Sequence, residues 1–131
     1  MSASQHQGGF SSRSGAAPFV LPLPENGDRY YKILDIPESM ALRSGLVVLQ
    51  PGQDIGSHNT GKHEEMIIFL EGFGEIEIEN GGLHGVRKGY IAYVPPATQH
   101  NVCNRGTGIL RYIYIVTGVN GETEHSEATS L

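Results

Sequence analysis

From residue 30 to residue 116 the chain reads as short apolar runs separated by turn-forming residues. Residues 75–79 show the pattern most plainly. Ile76 and Ile78 alternate with Glu75, Glu77 and Glu79, the period of two that marks a half-buried strand. Asn80-Gly81-Gly82 then forms a hairpin turn. Within 42–50, Leu46-Val47-Val48-Leu49 is apolar on both faces and stops at Pro51-Gly52; within 65–71, Met66-Ile67-Ile68-Phe69-Leu70 stops near Gly72. Further strands are predicted over 30–36, 83–87, 90–94, 99–104 and 109–116. Residues 19–23 are interrupted by Pro22 and followed by Pro24, which leaves them an edge strand at best. Residues 37–41 predict one turn of helix, and the periodicity supports no longer one. About nine or ten short strands predict an all-β fold, a closed barrel or double-sheet jelly roll, because either arrangement removes or protects the edges of so many strands. Both faces of 109–116 are apolar apart from Arg111. One face meets the barrel interior. The other needs cover from an added strand or a second subunit, so a homodimer is expected.

Composition narrows the class. Eighteen glycines and seven prolines in 131 residues suit a chain that turns often. This length is one domain by the usual prior and buries a core without disulfides. Residues 1–17, rich in Ser, Gly, Gln and Ala around the lone Phe10, are expected to be a flexible tail, as is the acidic stretch 120–131; the domain is placed at 18–119. Cys103 is the one cysteine and has no partner for an internal bridge, which fits a reducing, cytoplasmic setting. Nine basic residues against 14 acidic ones, a net charge of −5, argue against a nucleic-acid surface. No apolar run is long enough to span a bilayer, and the N-terminus lacks the order of a secretory signal.

The candidate chemistry lies in six histidines. His6 and His125 fall in the expected tails, and His84 sits in a hairpin without an acidic neighbour; these three read as surface residues. His63 stands two residues before Glu65. Alternation along a strand turns both to one face, with Cα atoms roughly 6.6 Å apart, and long side chains converge on one ion from there. The same pattern also fits a plain surface strand end. Glu64 points the other way.

Two segments carry a resemblance. Gly52, His58, Glu65 and Gly72 keep the spacing G-x5-H-x-H-x(3,4)-E-x6-G, and Gly89, Pro95, His100 and Asn104 keep the spacing G-x5-P-x-G-x2-H-x3-N, with Ala97 in place of the motif glycine. Both motifs at full spacing in one short β-rich chain resemble the paired motifs of the cupin superfamily, of the small single-domain conserved-barrel (Cupin 2) type. The likeness covers residues 52–104 by motif and about 30–117 by strand series. It implies a double-stranded β-helix, or jelly-roll barrel, around one divalent transition metal ion. One departure matters, because the motif's second histidine falls on Thr60, whose hydroxyl is a poor ligand for such a metal. The resemblance therefore carries over His58, Glu65 and His100, the composition of a two-histidine, one-carboxylate triad. Alternatively His63 restores a fourth ligand, or the site has lost its metal. Iron or manganese suits these donors, and nickel or zinc stays open.

Parity along the strands predicts the lining. Ile67 and Phe69 face inward with Glu65, Ile76 and Ile78 face inward because their glutamate neighbours do not, and Val102 follows His100, which turns Cys103 outward. Asn104 reads as a turn-tying residue, and Tyr93, Tyr112 and Tyr114 read as strand aromatics with phenols available to the pocket. No Arg or Lys is evident on the inward face of the motif strands; Arg43, Arg87 and Arg111 are the candidates for anchoring an anion. Two functional classes follow. One is a metal-dependent enzyme, dioxygenase-like or isomerase- or lyase-like, acting on a small organic molecule. The other is a non-catalytic binding or sensor barrel with a reduced site, and the absence of an attached DNA-binding segment counts against a stand-alone regulator. A storage role fits poorly with one barrel.

Overall fold

The computed structural model describes residues 16–25 and 28–118. The tails expected at 1–17 and 120–131 lie outside these residues, apart from Ala16 and Ala17. Nine strands are present and no helix among the described residues: β1 (Tyr30–Leu34), β2 (Arg43–Leu49), β3 (His58–Asn59), β4 (Glu64–Glu71), β5 (Phe73–Ile78), β6 (Gly82–Arg87), β7 (Ile91–Val94), β8 (Gln99–Asn104) and β9 (Leu110–Thr117). They form a five-stranded sheet in the order β1-β2-β9-β4-β7 and a four-stranded sheet in the order β3-β8-β5-β6. Every pairing is antiparallel. The expected all-β double-sheet jelly roll is therefore the fold.

The alternation read from the sequence sets the two faces. In β4, Glu65, Ile67 and Phe69 are buried and their neighbours less so. In β9, Leu110, Tyr112, Tyr114 and Val116 turn inward. They meet Ile76, Val86 and Val102 of the other sheet in one apolar core. β2 is buried on both faces, as its unbroken apolar run predicts: Val47 and Leu49 enter the core, while Leu46 and Val48 are buried on the outer side.

Tight backbone approach explains two glycines. A side chain at Gly45 would place its Cβ 2.6 Å from the Tyr114 hydroxyl, so the absence of a side chain lets that ring lie across β2. At Gly72, φ is +92° and a Cβ would collide with the Ile109 carbonyl. Only glycine meets both demands without strain.

Two expectations are corrected. Residues 19–23 form no strand, since Pro22 and Pro24 bring no backbone donor to a ladder. Arg111 instead donates from Nη2 to the Pro24 carbonyl at 2.8 Å, which brings this segment to the outer face of β9. The one turn of helix expected over 37–41 lies slightly earlier, as a single α-turn closed by the Ser39 amide on the Asp35 carbonyl. The two-residue β3 was not foreseen. It is too short to show a period, and its pairing with β8 defines it.

Candidate metal centre

The two sheets bring candidate metal ligands together across the sandwich. β3 and β8 are neighbours in the four-stranded sheet with His58 directly opposite His100. Their rings lie edge to face, 4.3 Å between centroids. Glu65 comes from β4 in the five-stranded sheet. It reaches across the sandwich, where its Oε1 accepts from His100 Nε2 at 2.9 Å. One ligand atom from each of His58, Glu65 and His100 lies within 4.8 Å of the other two. Glu65 is 4 % exposed and His100 2 %, while His58 is half-buried.

The rings are oriented from behind. His58 Nδ1 lies 2.9 Å from the Gly56 carbonyl, and His100 Nδ1 lies 3.1 Å from the Thr98 carbonyl. A carbonyl only accepts, so each Nδ1 carries the proton and each Nε2 is directed into the centre. This is the arrangement that fixes imidazole as a metal ligand. His58 Nε2 is buried and has no hydrogen-bond partner among the described residues. An orphaned buried acceptor is costly, and a cation at this point would satisfy it.

Electrostatics separates the two histidines. Burial is the main force on His58 and pulls its pKa below the usual imidazole value, with His100 adding to the effect and the Gly56 carbonyl and Glu65 opposing it. Burial also disfavours charge on His100. The hydrogen bond and negative charge of Glu65, helped by the Thr98 carbonyl, outweigh that and raise its pKa. Burial thus favours the neutral form of His58, and the Glu65 carboxylate favours the protonated form of His100. A divalent ion held there by His58, Glu65 and His100 would compete with the proton on His100 Nε2.

His63 is buried on the same face of the chain as Glu65 but lies outside the trio. Its Nδ1 is 3.9 Å from where a Cβ on Gly118 would stand. Thr60 has a different task from the histidine it replaces. Its hydroxyl donates to the Pro95 carbonyl at 2.6 Å and accepts from the Thr98 amide at 3.0 Å, clipping the loop after His58 to the turn before His100. Asn104 ties its turn as expected, donating from Nδ2 to the Leu49 and Gly108 carbonyls and accepting from the Gly106 amide.

Sequence reasoning did not reach the aromatic pair beyond the centre. The Tyr30 and Tyr114 hydroxyls are 2.6 Å apart, and the rings stack at 6.3 Å. Burial, the Tyr30 hydrogen bond and charge, and Glu65 push the Tyr114 phenol well above its ordinary pKa, with Arg43 opposing. Burial and Glu65 do the same for Tyr112. Both stay neutral phenols. The signal for Tyr30 was its place on β1, but only the register shows that it faces inward, opposite Val47. Tyr93 lies on the outer face, where its hydroxyl donates to Glu64. Cys103 is half-buried, and its backbone pairs with that of Asp54.

Comparison with known proteins agrees with the fold. The chain is similar in fold to an RmlC-like cupin from Methanocaldococcus jannaschii, at 18% identity over 76% of this chain and 89% of that one, TM-score 0.65. It is likewise similar to the Cnp3 cupin domain of Schizosaccharomyces pombe, at 17% identity over 69% of this chain, TM-score 0.62, and spans 60% of that chain's length. A polyketide cyclase from Streptomyces resistomycificus is a third, at 17% identity over 70% of this chain and 66% of that one, TM-score 0.60. At these identities the likeness is one of fold. No curated protein matches the sequence. The family model for the cupin domain matches residues 45–116, a span that takes in both motifs and all three converging side chains, and the chain belongs to the cupin domain family.

Proposed function

We propose that this chain is a metal-dependent enzyme acting on a small organic molecule, by dioxygenase-like or by isomerase- or lyase-like chemistry, and that it works as a homodimer. The observation that carries the metal reading is the convergence of two Nε2 atoms and a carboxylate, both rings held by backbone carbonyls, with His58 Nε2 buried and unsatisfied. His58, Glu65 and His100 would hold one divalent ion. When bound, such an ion supplies Lewis-acid polarisation or, if it is iron or manganese, electrons for dioxygen. The protein's part is to fix the donors, to keep water out by burying Glu65 and His100, and to keep Tyr112 and Tyr114 as neutral hydrogen-bond donors on the same inner sheet face.

The test is elemental analysis of untagged protein beside His58→Ala. That variant suits the question better than His100→Ala, which strands a buried Glu65 carboxylate at a cost of about 3–5 kcal/mol. The expected result is close to one equivalent of iron, manganese, nickel or zinc per chain. His58→Ala should fold and lose most of it. A chelator should lower the wild-type melting temperature and leave the variant's unchanged, because a bound ion stabilises only the protein that binds it. Wild-type protein that neither carries metal nor takes up added divalent ions would favour the second reading, a binding or sensor barrel. The observation favouring that reading is Thr60, whose hydroxyl is already committed to the backbone.

A further inference from the structure

Three arginines were candidates for contacting an anion, and strand register separates them. Arg111 pairs with Val48 on the outer face of its sheet and is bound to the Pro24 carbonyl. Arg87 follows the buried Val86 on β6, so it turns outward, and it lies over the Tyr90 ring. Arg43 is different. It pairs with Val116, and Val116 pairs with Glu65. Paired residues in an antiparallel ladder share a face, so Arg43 stands on the inner face, in the same cross-sheet row as the metal-side carboxylate. Two inter-strand steps separate their Cα atoms, about 10 Å.

The surroundings of Arg43 are those of a binding group rather than a settled ion pair. Its side chain is only 25 % exposed, and its carboxylate contact, Nε to Asp35 Oδ1, is a loose 3.6 Å. In the next row, Gly45 leaves room for the Tyr114 ring, whose hydroxyl meets that of Tyr30. Glu65 and Arg43 act on the Tyr114 phenol in opposite directions, which places that phenol within electrostatic reach of both. A cation and two phenols thus stand on the inner face of the sheet that also carries Glu65. Guanidinium groups recognise carboxylates through charge-assisted, often paired, hydrogen bonds.

We propose that Arg43 is the anion anchor of this barrel, holding the carboxylate of a small organic acid beside the Tyr30–Tyr114 pair with the rest of the molecule directed toward His58, Glu65 and His100. The direction of the bound molecule rests on the metal reading; the anchor itself does not.

The experiment titrates wild type, Arg43→Gln, Arg43→Lys and Asp35→Asn by calorimetry with acetate, succinate and benzoate, with succinamide as the uncharged control, in metal-free and zinc-loaded protein. At least one carboxylate is expected to bind wild type, and succinamide is not. Arg43→Gln should weaken binding about tenfold or more, as expected for loss of a hydrogen bond to a charged group. Arg43→Lys should fall between the two, and zinc affinity should be the same in all four proteins. Asp35→Asn keeps Arg43 and removes its competitor, so it should bind the carboxylate more tightly than wild type, which answers the question even if Arg43→Gln does not fold. Binding unchanged by Arg43→Gln, equal binding of succinamide, or no binding of any carboxylate would overturn the anchor. Zinc failing to load would overturn the metal reading alone, since the metal-free titrations decide Arg43 separately.

Discussion

His58 and His100 are directed by carbonyls two residues earlier in the chain, Gly56 and Thr98. The arrangement is local, so it depends on the two loops keeping their shape. Thr60 links those loops through both hydrogen bonds of its hydroxyl. Thr60→Val keeps the shape and removes the bonds, leaving the Pro95 carbonyl and the Thr98 amide short of a partner. Denaturant unfolding should show a loss of about 1–3 kcal/mol, and metal affinity should fall as well, while Thr60→Ser should keep most of both. A Thr60→Val protein as stable as wild type would show that the clip is not needed. Ala97 offers the opposite experiment. It stands at the motif's glycine position with φ of +57°, a left-handed conformation that costs a non-glycine residue about 1–2 kcal/mol. Ala97→Gly removes that strain but gives the unfolded chain more freedom, about 0.4–1 kcal/mol. A net gain between zero and about 1.5 kcal/mol is expected, and a loss would mean that the alanine methyl makes a contact worth more than the strain.

At the scale of elements, residues are legible in the sequence where a period exists. β8 runs over Gln99–Asn104 as its alternation predicts, and the inward set Glu65, Ile67 and Phe69 follows from a single parity assignment on β4. His58, Glu65 and His100 were legible through the resemblance to the paired cupin motifs, whose spacing the chain keeps. The rest depended on long-range pairing. β3 has two residues and exists through β8. The inward turn of Arg43 and Tyr30 follows from register against β9 and β2, which no local pattern encodes. His63 shares the parity of Glu65 yet lies outside the cluster, since parity gives the face and not the reach. Register also makes Gly45 and Tyr114 one unit. Gly45→Ala would drive a methyl into the Tyr114 ring, 2.6 Å from its hydroxyl and 2.8 Å from Cε2. The alanine alone should cost about 1–3 kcal/mol as overpacking. Combined with Tyr114→Leu it should cost less than the sum of the two changes, by a coupling of about 0.5–3 kcal/mol. Additive losses would mean that the backbone, not the ring, is what the methyl disturbs.

For the whole molecule, the outer face of the five-stranded sheet is unevenly covered. Leu46 and Val48 on β2 are buried, and Pro24 meets Arg111 nearby. Toward β7 the cover ends: Met66 is 41 % exposed, Tyr93 55 % and Ile91 67 %. Register brings these together, with Met66 opposite Tyr93 and Ile68 opposite Ile91, and the half-buried Ile113 and Ile115 of β9 continue the same face. A contiguous apolar patch of this kind is uncommon on a lone chain, and a stable interface buries about 800 Å² per partner. The proposed homodimer would place a second copy here. Light scattering of wild type should give twice the chain mass of 14.2 kDa, and Ile91→Lys combined with Met66→Lys should give a folded protein at the single-chain mass. These changes lie on the outer face, opposite the cluster, so the double variant should still take up metal. A wild-type protein that stays at the single-chain mass at its highest soluble concentration would remove the dimer from the proposal and leave the patch as bare surface. Dissociation accompanied by loss of metal would instead mean that the interface, and not the sandwich alone, holds the loops around His58 and His100 in place.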